Sequence, residues 1–64
     1  MSEEELRTMI HDLNNAFARI LSAAELIGQE EGASEQTVSD ARDIRAAALA
    51  GRELVERLRH GIRE

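Results

Sequence analysis

Apolar residues in the first half of the chain return at intervals of three and four. Leu6, Leu13, Ile20 and Ile27 recur every seven residues, Ile10, Phe17 and Ala24 interleave four residues after them, and Met9, Ala16 and Ala23 lie alongside. That period matches the turn of an α-helix and not the two-residue alternation of a strand. A start signal precedes it. Ser2-Glu3-Glu4-Glu5 reads as a capping box, with carboxylates on the positive end of the helix dipole. The pattern predicts a first helix from about residue 3 to about residue 29.

Gly28 and Gly32 bracket the end of that pattern, and Ser34 is placed to cap a second helix. The turn is expected over about residues 30–34 and the second helix over about residues 35–62. Its apolar positions form one row of Ala41, Ala48, Val55 and Ile62 and another of Ile44, Gly51 and Leu58. Arg57, Arg59 and Arg63 fall in its last turns, where the dipole favours cations. Gly51 costs helix propensity, about 1 kcal/mol against alanine, so a packing reason is expected for it. A connection this short makes the two helices antiparallel neighbours. A lone hairpin leaves half of each stripe in water, whereas two hairpins closing together bury both. The expected fold is therefore all-α: one domain over residues 1–64, an antiparallel two-helix hairpin that pairs with a second copy as a homodimeric four-helix bundle. Leu13, Phe17, Ile20, Ile44, Val55 and Leu58 are expected to be its most buried side chains.

Composition sharpens this reading. A chain of 64 residues buries a small core, and such scaffolds lean on disulfides, metals or self-association. There is no cysteine, His11 and His60 are far apart in sequence, and no HExxH or similar ligand pair exists. Self-association is left as the stabiliser, and no metal or cofactor of its own is expected. The acidic run Glu3-Glu4-Glu5 is read as a cap and not as a metal site. The net charge of −5, with every basic residue an arginine, disfavours nucleic-acid binding, which depends on neutralising phosphates. No apolar run approaches the roughly 20 residues that span a bilayer, and the acidic start is unlike a signal or transit peptide. A cytosolic chain without a membrane partner is the expectation.

The polar side of helix one carries the candidate chemistry. At about 100° per residue, His11 points about 160° away from a core stripe centred near Leu13. Asn15 shares that outward strip one turn on, with Arg7, Ala18 and Ser22 along it, and Asp12 lies at its flank beside His11. Polar faces often hold such residues by chance. The doublet Asn14-Asn15 is harder to dismiss, because mid-helix asparagine lowers helix propensity where glutamate would serve better. On helix two, Ala46, Leu49 and Ala50 lie off the core stripe and should form a small exposed apolar patch; Leu26 is similarly displaced on helix one. His60, near the C-terminus among arginines, is assigned no function.

The run His11-Asp12-Leu13-Asn14-Asn15-Ala16-Phe17-Ala18-Arg19-Ile20, followed by Ala24-Glu25-Leu26-Ile27, resembles the phosphoacceptor helix of the dimerisation and histidine-phosphotransfer domain of sensor histidine kinases. It is most similar to the subgroup reading His-Asp-Phe-Asn-Asn-Leu-Leu. Ala46-Ala47-Ala48 and Gly51-Arg52-Glu53-Leu54-Val55-Glu56-Arg57-Leu58 resemble that domain's second helix, so the likeness spans nearly the whole chain. Leu13 stands where phenylalanine is more usual, and Ala18 where a larger polar residue is common.

The resemblance implies that His11 is the phosphorylated imidazole, that Asp12 orients the ring as acid or base, and that Asn15 positions water when such proteins act as phosphatases. It implies as partners a second copy, a response-regulator receiver domain that supplies the acceptor aspartate and Mg²⁺, and a separate histidine kinase. It also implies a docking surface for the receiver, for which the candidates are Ala18, Ser22, Glu25, Ala46, Leu49 and Ala50. Leu49 is expected near the level of Ala18, roughly two turns below His11. No glycine-rich nucleotide loop is present, and a chain of this size has no room for an ATP-binding domain, so it is not expected to be a kinase by itself. The monomeric phosphotransfer domains with a His-x-x-Lys-Gly signature do not fit, because Asn14 and Asn15 occupy those last two positions. Two other functions stay open at this point: a dimerisation or adaptor module without phosphate chemistry, and an RNA-binding helical hairpin, against which the acidic balance counts.

Overall fold

A computed structural model describes residues 1–63, the side chains of residues 62 and 63 excepted, as two α-helices, α1 (Glu3–Gln29) and α2 (Glu35–Arg63), packed as an antiparallel hairpin. The molecule is a rod with extents of 47 × 15 × 13 Å. Ile62 and Arg63, expected in the apolar row and among the C-terminal cations, have side chains outside the described residues. Among the described residues no helix is long and apolar enough to cross a membrane.

Both helix starts are capped as their sequences require. The Glu5 N–H donates to Ser2 Oγ at 3.0 Å, and the Ser2 N–H donates back to Glu5 Oε1 at 3.1 Å. This closes the capping box and satisfies two otherwise orphaned donors. The Ser2 backbone N–H, and then its hydroxyl, hold the Glu5 carboxyl below the usual carboxylate range. At the second start, the Thr37 N–H donates to Ser34 Oγ at 3.1 Å. Between the helices the Ala33 N–H donates to the Glu30 carbonyl at 3.1 Å, closing a turn with Gly32 at φ 82°. A residue with a Cβ is strained there, so glycine is the residue that lets the chain reverse so tightly.

The hairpin seam is narrower than the apolar stripe and lies to one side of it. Ile10, Leu21 and Ala24 of α1 and Ala41, Ala48 and Val55 of α2 are buried, with Phe17, Gly28 and Gly51 half-buried beside them. Four of the six side chains expected to be most buried are not so in the hairpin. Leu13, Ile20, Ile44 and Leu58 are 40–47% exposed, whereas Val55 is buried and Phe17 half-buried. The reason is geometric. The spacing 10, 17, 21, 24, 28 meets α2, while Met9, Leu13, Ala16, Ile20, Ala23 and Ile27 lie about a quarter-turn further round α1. Ile44, Ala47, Leu54 and Leu58 lie about a quarter-turn from the seam on α2. Because the helices run antiparallel, these two strips fall on the same broad side of the hairpin. Leu21 was not among the expected core residues, and Asn14 shares its row and is half-buried.

Small residues let the helices approach closely. A methyl group on Gly28 would lie 3.3 Å from the Ala41 Cβ, and one on Gly51 only 2.5 Å from Phe17 Cζ. Gly51 therefore has the packing reason its place in a helix called for: the Phe17 ring lies against its backbone. Gly51→Ala should lower the thermal midpoint, because overpacking costs about 1–3 kcal/mol and outweighs about 1 kcal/mol of gained helix propensity. Gly61→Ala, where a methyl meets nothing within 4 Å, should have the opposite sign. Paired thermal melts of the two variants check this, and a stabilised Gly51→Ala protein would contradict the close contact.

Candidate functional site

His11 sits in the second half of the third turn of α1, with regular helix on both sides. Its side chain is 75% exposed, and its Nδ1 lies 3.7 Å from Asp12 Oδ1. That separation is within ion-pair range and beyond a hydrogen bond, and a small side-chain rotation closes it. With Nδ1 turned toward the carboxylate, Nε2 is the ring nitrogen left facing solvent. A carboxylate beside one nitrogen favours the tautomer that keeps a lone pair on the other. Asn15 is exposed one turn further on, and helical side chains lean toward the N-terminus, so its amide lies over the turn that carries His11.

The antiparallel register decides what faces this strip. Phe17 meets Gly51, Gly28 meets Ala41, and Arg45 Nε lies 3.5 Å from Glu25 Oε1. Extending that register sets Arg57 and Leu58 level with His11, and Leu49 level with Arg19 and Ile20. Leu49 is thus within two residues of the level expected for it. His11, Asn15, Ala18, Ser22 and Glu25 of α1 share one broad side of the hairpin with Arg45, Leu49, Glu56 and His60 of α2. The strip of exposed Leu13, Ile20, Leu54 and Leu58 occupies the other side.

Of the candidate docking residues, Ala18, Ser22, Glu25, Ala46, Leu49 and Ala50 are all exposed. The structure brings Leu49 to the α1 side. It lines a shallow groove of about 260 Å³ with Asn14, Arg52, Glu53 and Glu56. Ala46 and Ala50 turn further from α1 and do not line it, and Glu25 is engaged with Arg45. Asn14 stood out in the sequence only as half of the Asn14-Asn15 doublet, and Arg52, Glu53 and Glu56 only as part of the helix-two resemblance, none of them as groove residues. They become neighbours only through the register, which a count from the turn at Gly32 would have approximated.

Ion pairs lie to either side of His11. Glu56 pairs with Arg59, and its Oε1 lies 3.6 Å from His60 Nε2. Arg7 pairs with Glu3 at 2.7 Å, one turn before His11. Among the described residues no three His, Cys, Asp or Glu side chains cluster as a metal site. No family model matches the chain, and neither a curated protein nor a solved structure matches it.

Proposed function

We propose that this chain is a histidine-phosphotransfer module of a phosphorelay, working as a dimer of hairpins. The observation that carries the reading is His11 itself. Its imidazole is three-quarters exposed on a regular helix, with the Asp12 carboxylate 3.7 Å from Nδ1 and Nε2 on the side away from it. A neutral imidazole is a usable nucleophile near pH 7. In the proposed step the Nε2 lone pair attacks the phosphorus of a receiver aspartyl phosphate. The P–O bond to the aspartate breaks as the P–N bond forms, and the Nδ1 proton stays toward Asp12. The reverse step returns the phosphoryl group. The receiver supplies the aspartate and Mg²⁺, while this chain supplies position and nucleophile.

The second copy is proposed to cover the exposed strip. Met9, Leu13, Ile20 and Ile27 of α1 and Ile44, Leu54 and Leu58 of α2 are each at least 40% exposed. Their three-and-four spacing is that of a bundle seam, and a two-fold pairing of identical strips buries all of them at once.

Incubating the protein with phosphorylated receiver domains and following the label tests the reading. Acid-labile phosphate on His11 is the expected result; receivers that dephosphorylate without labelling His11 would overturn it. Leu49→Arg checks the groove beside Asn14. It should weaken receiver binding more than tenfold, about 1.4 kcal/mol, with the dimer intact. Unchanged affinity would remove the groove from the docking surface while leaving His11 untouched.

A further inference from the structure

Arg7 stands one helical turn before His11 on the same outward strip, and its side chain is 60% exposed. We propose that Arg7 is a phosphoryl-binding residue, which leaves Glu3 to pair with the phosphoryl group once His11 carries one. The inference rests on the reading of His11 as phosphoacceptor and adds a residue that holds the phosphorylated state.

Helix geometry supplies the reach. Side chains four apart have Cβ atoms about 6 Å from each other, and each leans toward the helix N-terminus. The His11 ring therefore lies over the turn that carries Arg7, and Arg7 in turn lies over Glu3, to which its guanidinium is bonded at 2.7 Å. Nδ1 faces Asp12, so a phosphoryl group is carried on Nε2, clear of that carboxylate.

Charge supplies the preference. A phosphoryl group carries nearly two negative charges and three acceptor oxygens, against one charge on Glu3, and guanidinium binds it through a two-pronged fork. The other charged groups facing this strip do not offer the same service. Asp12 and, two turns before His11 on the same strip, Glu4 repel the phosphoryl group, and Arg57 of α2, level with His11, turns to the side of that helix away from α1. On α2, Arg59 is paired with Glu56, whose carboxylate also lies beside His60.

The test uses the full chain carrying His60→Gln, so that His11 is the one histidine. Phosphoramidate loads it: the imidazole nitrogen takes the phosphoryl group, the donor P–N bond breaks, and the imidazole proton leaves with ammonia. The ³¹P resonance is then titrated with pH at low ionic strength. Arg7→Gln should raise the midpoint of the second phosphoryl ionisation by about 0.3–0.7 unit, because the dianion loses its cation. Arg7→Lys should recover part of the shift. Glu3→Gln breaks the same ion pair but frees Arg7, so it should move the midpoint the other way, which a merely structural role for the pair would not do. Molar salt should bring the unsubstituted protein toward the Arg7→Gln value.

A midpoint unchanged in Arg7→Gln, or shifts of one sign in both the Arg7 and Glu3 variants, would overturn the inference. The outcome is separable from that of receiver transfer. Chemically loaded His11 that never exchanges with a receiver overturns the proposed function, while the ³¹P titration still reads Arg7. An imidazole that phosphoramidate does not label overturns both.

Discussion

Ile20→Glu should convert a dimer of hairpins into single chains. At tens of micromolar the unsubstituted protein is expected to sediment at twice the chain mass of 7.1 kDa, and the variant at the chain mass. Ile20 is 42% exposed in the hairpin and lies mid-way along the strip of Met9, Leu13, Ile20 and Ile27. Two-fold symmetry makes one substitution count twice. Full burial of an isoleucine is worth about 1.5–3 kcal/mol, and the 42% still exposed is the part a partner can cover, so the pair amounts to about 1–3 kcal/mol, or roughly one to two decades in dissociation constant. Burying two carboxylates in their place adds to the loss. The seam inside each hairpin keeps Ile10, Leu21 and Val55. Yet a scaffold this small is marginal alone, so helicity should fall on dilution along with the mass. Leu26→Glu is the control, because Leu26 is 71% exposed and turned away from both strips. An unsubstituted protein that stays a compact monomer, or a Leu26 variant as disruptive as Ile20→Glu, would contradict the second-copy assignment.

His11→Gln should abolish phosphate uptake and leave thermal stability nearly unchanged. Among the described residues the His11 side chain makes no hydrogen bond, and it is three-quarters exposed, so its replacement falls among surface changes worth within about ±0.5 kcal/mol. Glutamine keeps a polar side chain and is a slightly better helix former than histidine, but it has no nucleophilic nitrogen, so the loss of transfer is complete and not partial. Asp12→Asn should slow transfer by about tenfold or more, since a partner group that sets a ligand's tautomer and orientation is typically worth that much. It should leave the dimer in place. Label measured on the three proteins at equal receiver concentration separates these outcomes. Undiminished labelling of His11→Gln would sink the phosphoacceptor assignment; undiminished transfer by Asp12→Asn would limit Asp12 to a bystander.

Local chemistry along the chain was enough to place both helices and the turn. Ser2 and Ser34 cap as their hydroxyls predict, and Gly32 takes the positive φ that a tight reversal requires. These features depend on neighbours within four residues, so a linear reading reaches them. The outward direction of His11 was legible for the same reason: helical periodicity alone turns it from the apolar stripe, whichever part of that stripe meets a partner helix. Asp12 is beside it by adjacency, and Asn15 by one helical turn.

Tertiary structure decided how the broad apolar stripe is divided. Periodicity gives a direction around each helix, but a stripe this wide holds two possible seams, and only packing chooses between them. The choice turns on closest approach. Gly28 against Ala41 and Gly51 against Phe17 let the backbones come together along one line, which draws in Ile10, Leu21 and Val55 and leaves Leu13, Ile20, Ile44 and Leu58 exposed. The same register decided that Leu49 lines a groove with Asn14 on the His11 side. Which residues form helices, where they start, and which side carries His11 were determined by the sequence alone. Which apolar residues meet inside the hairpin, and which of its two sides remains for a partner, required both helices at once, because the distance between two helices is a property of the pair.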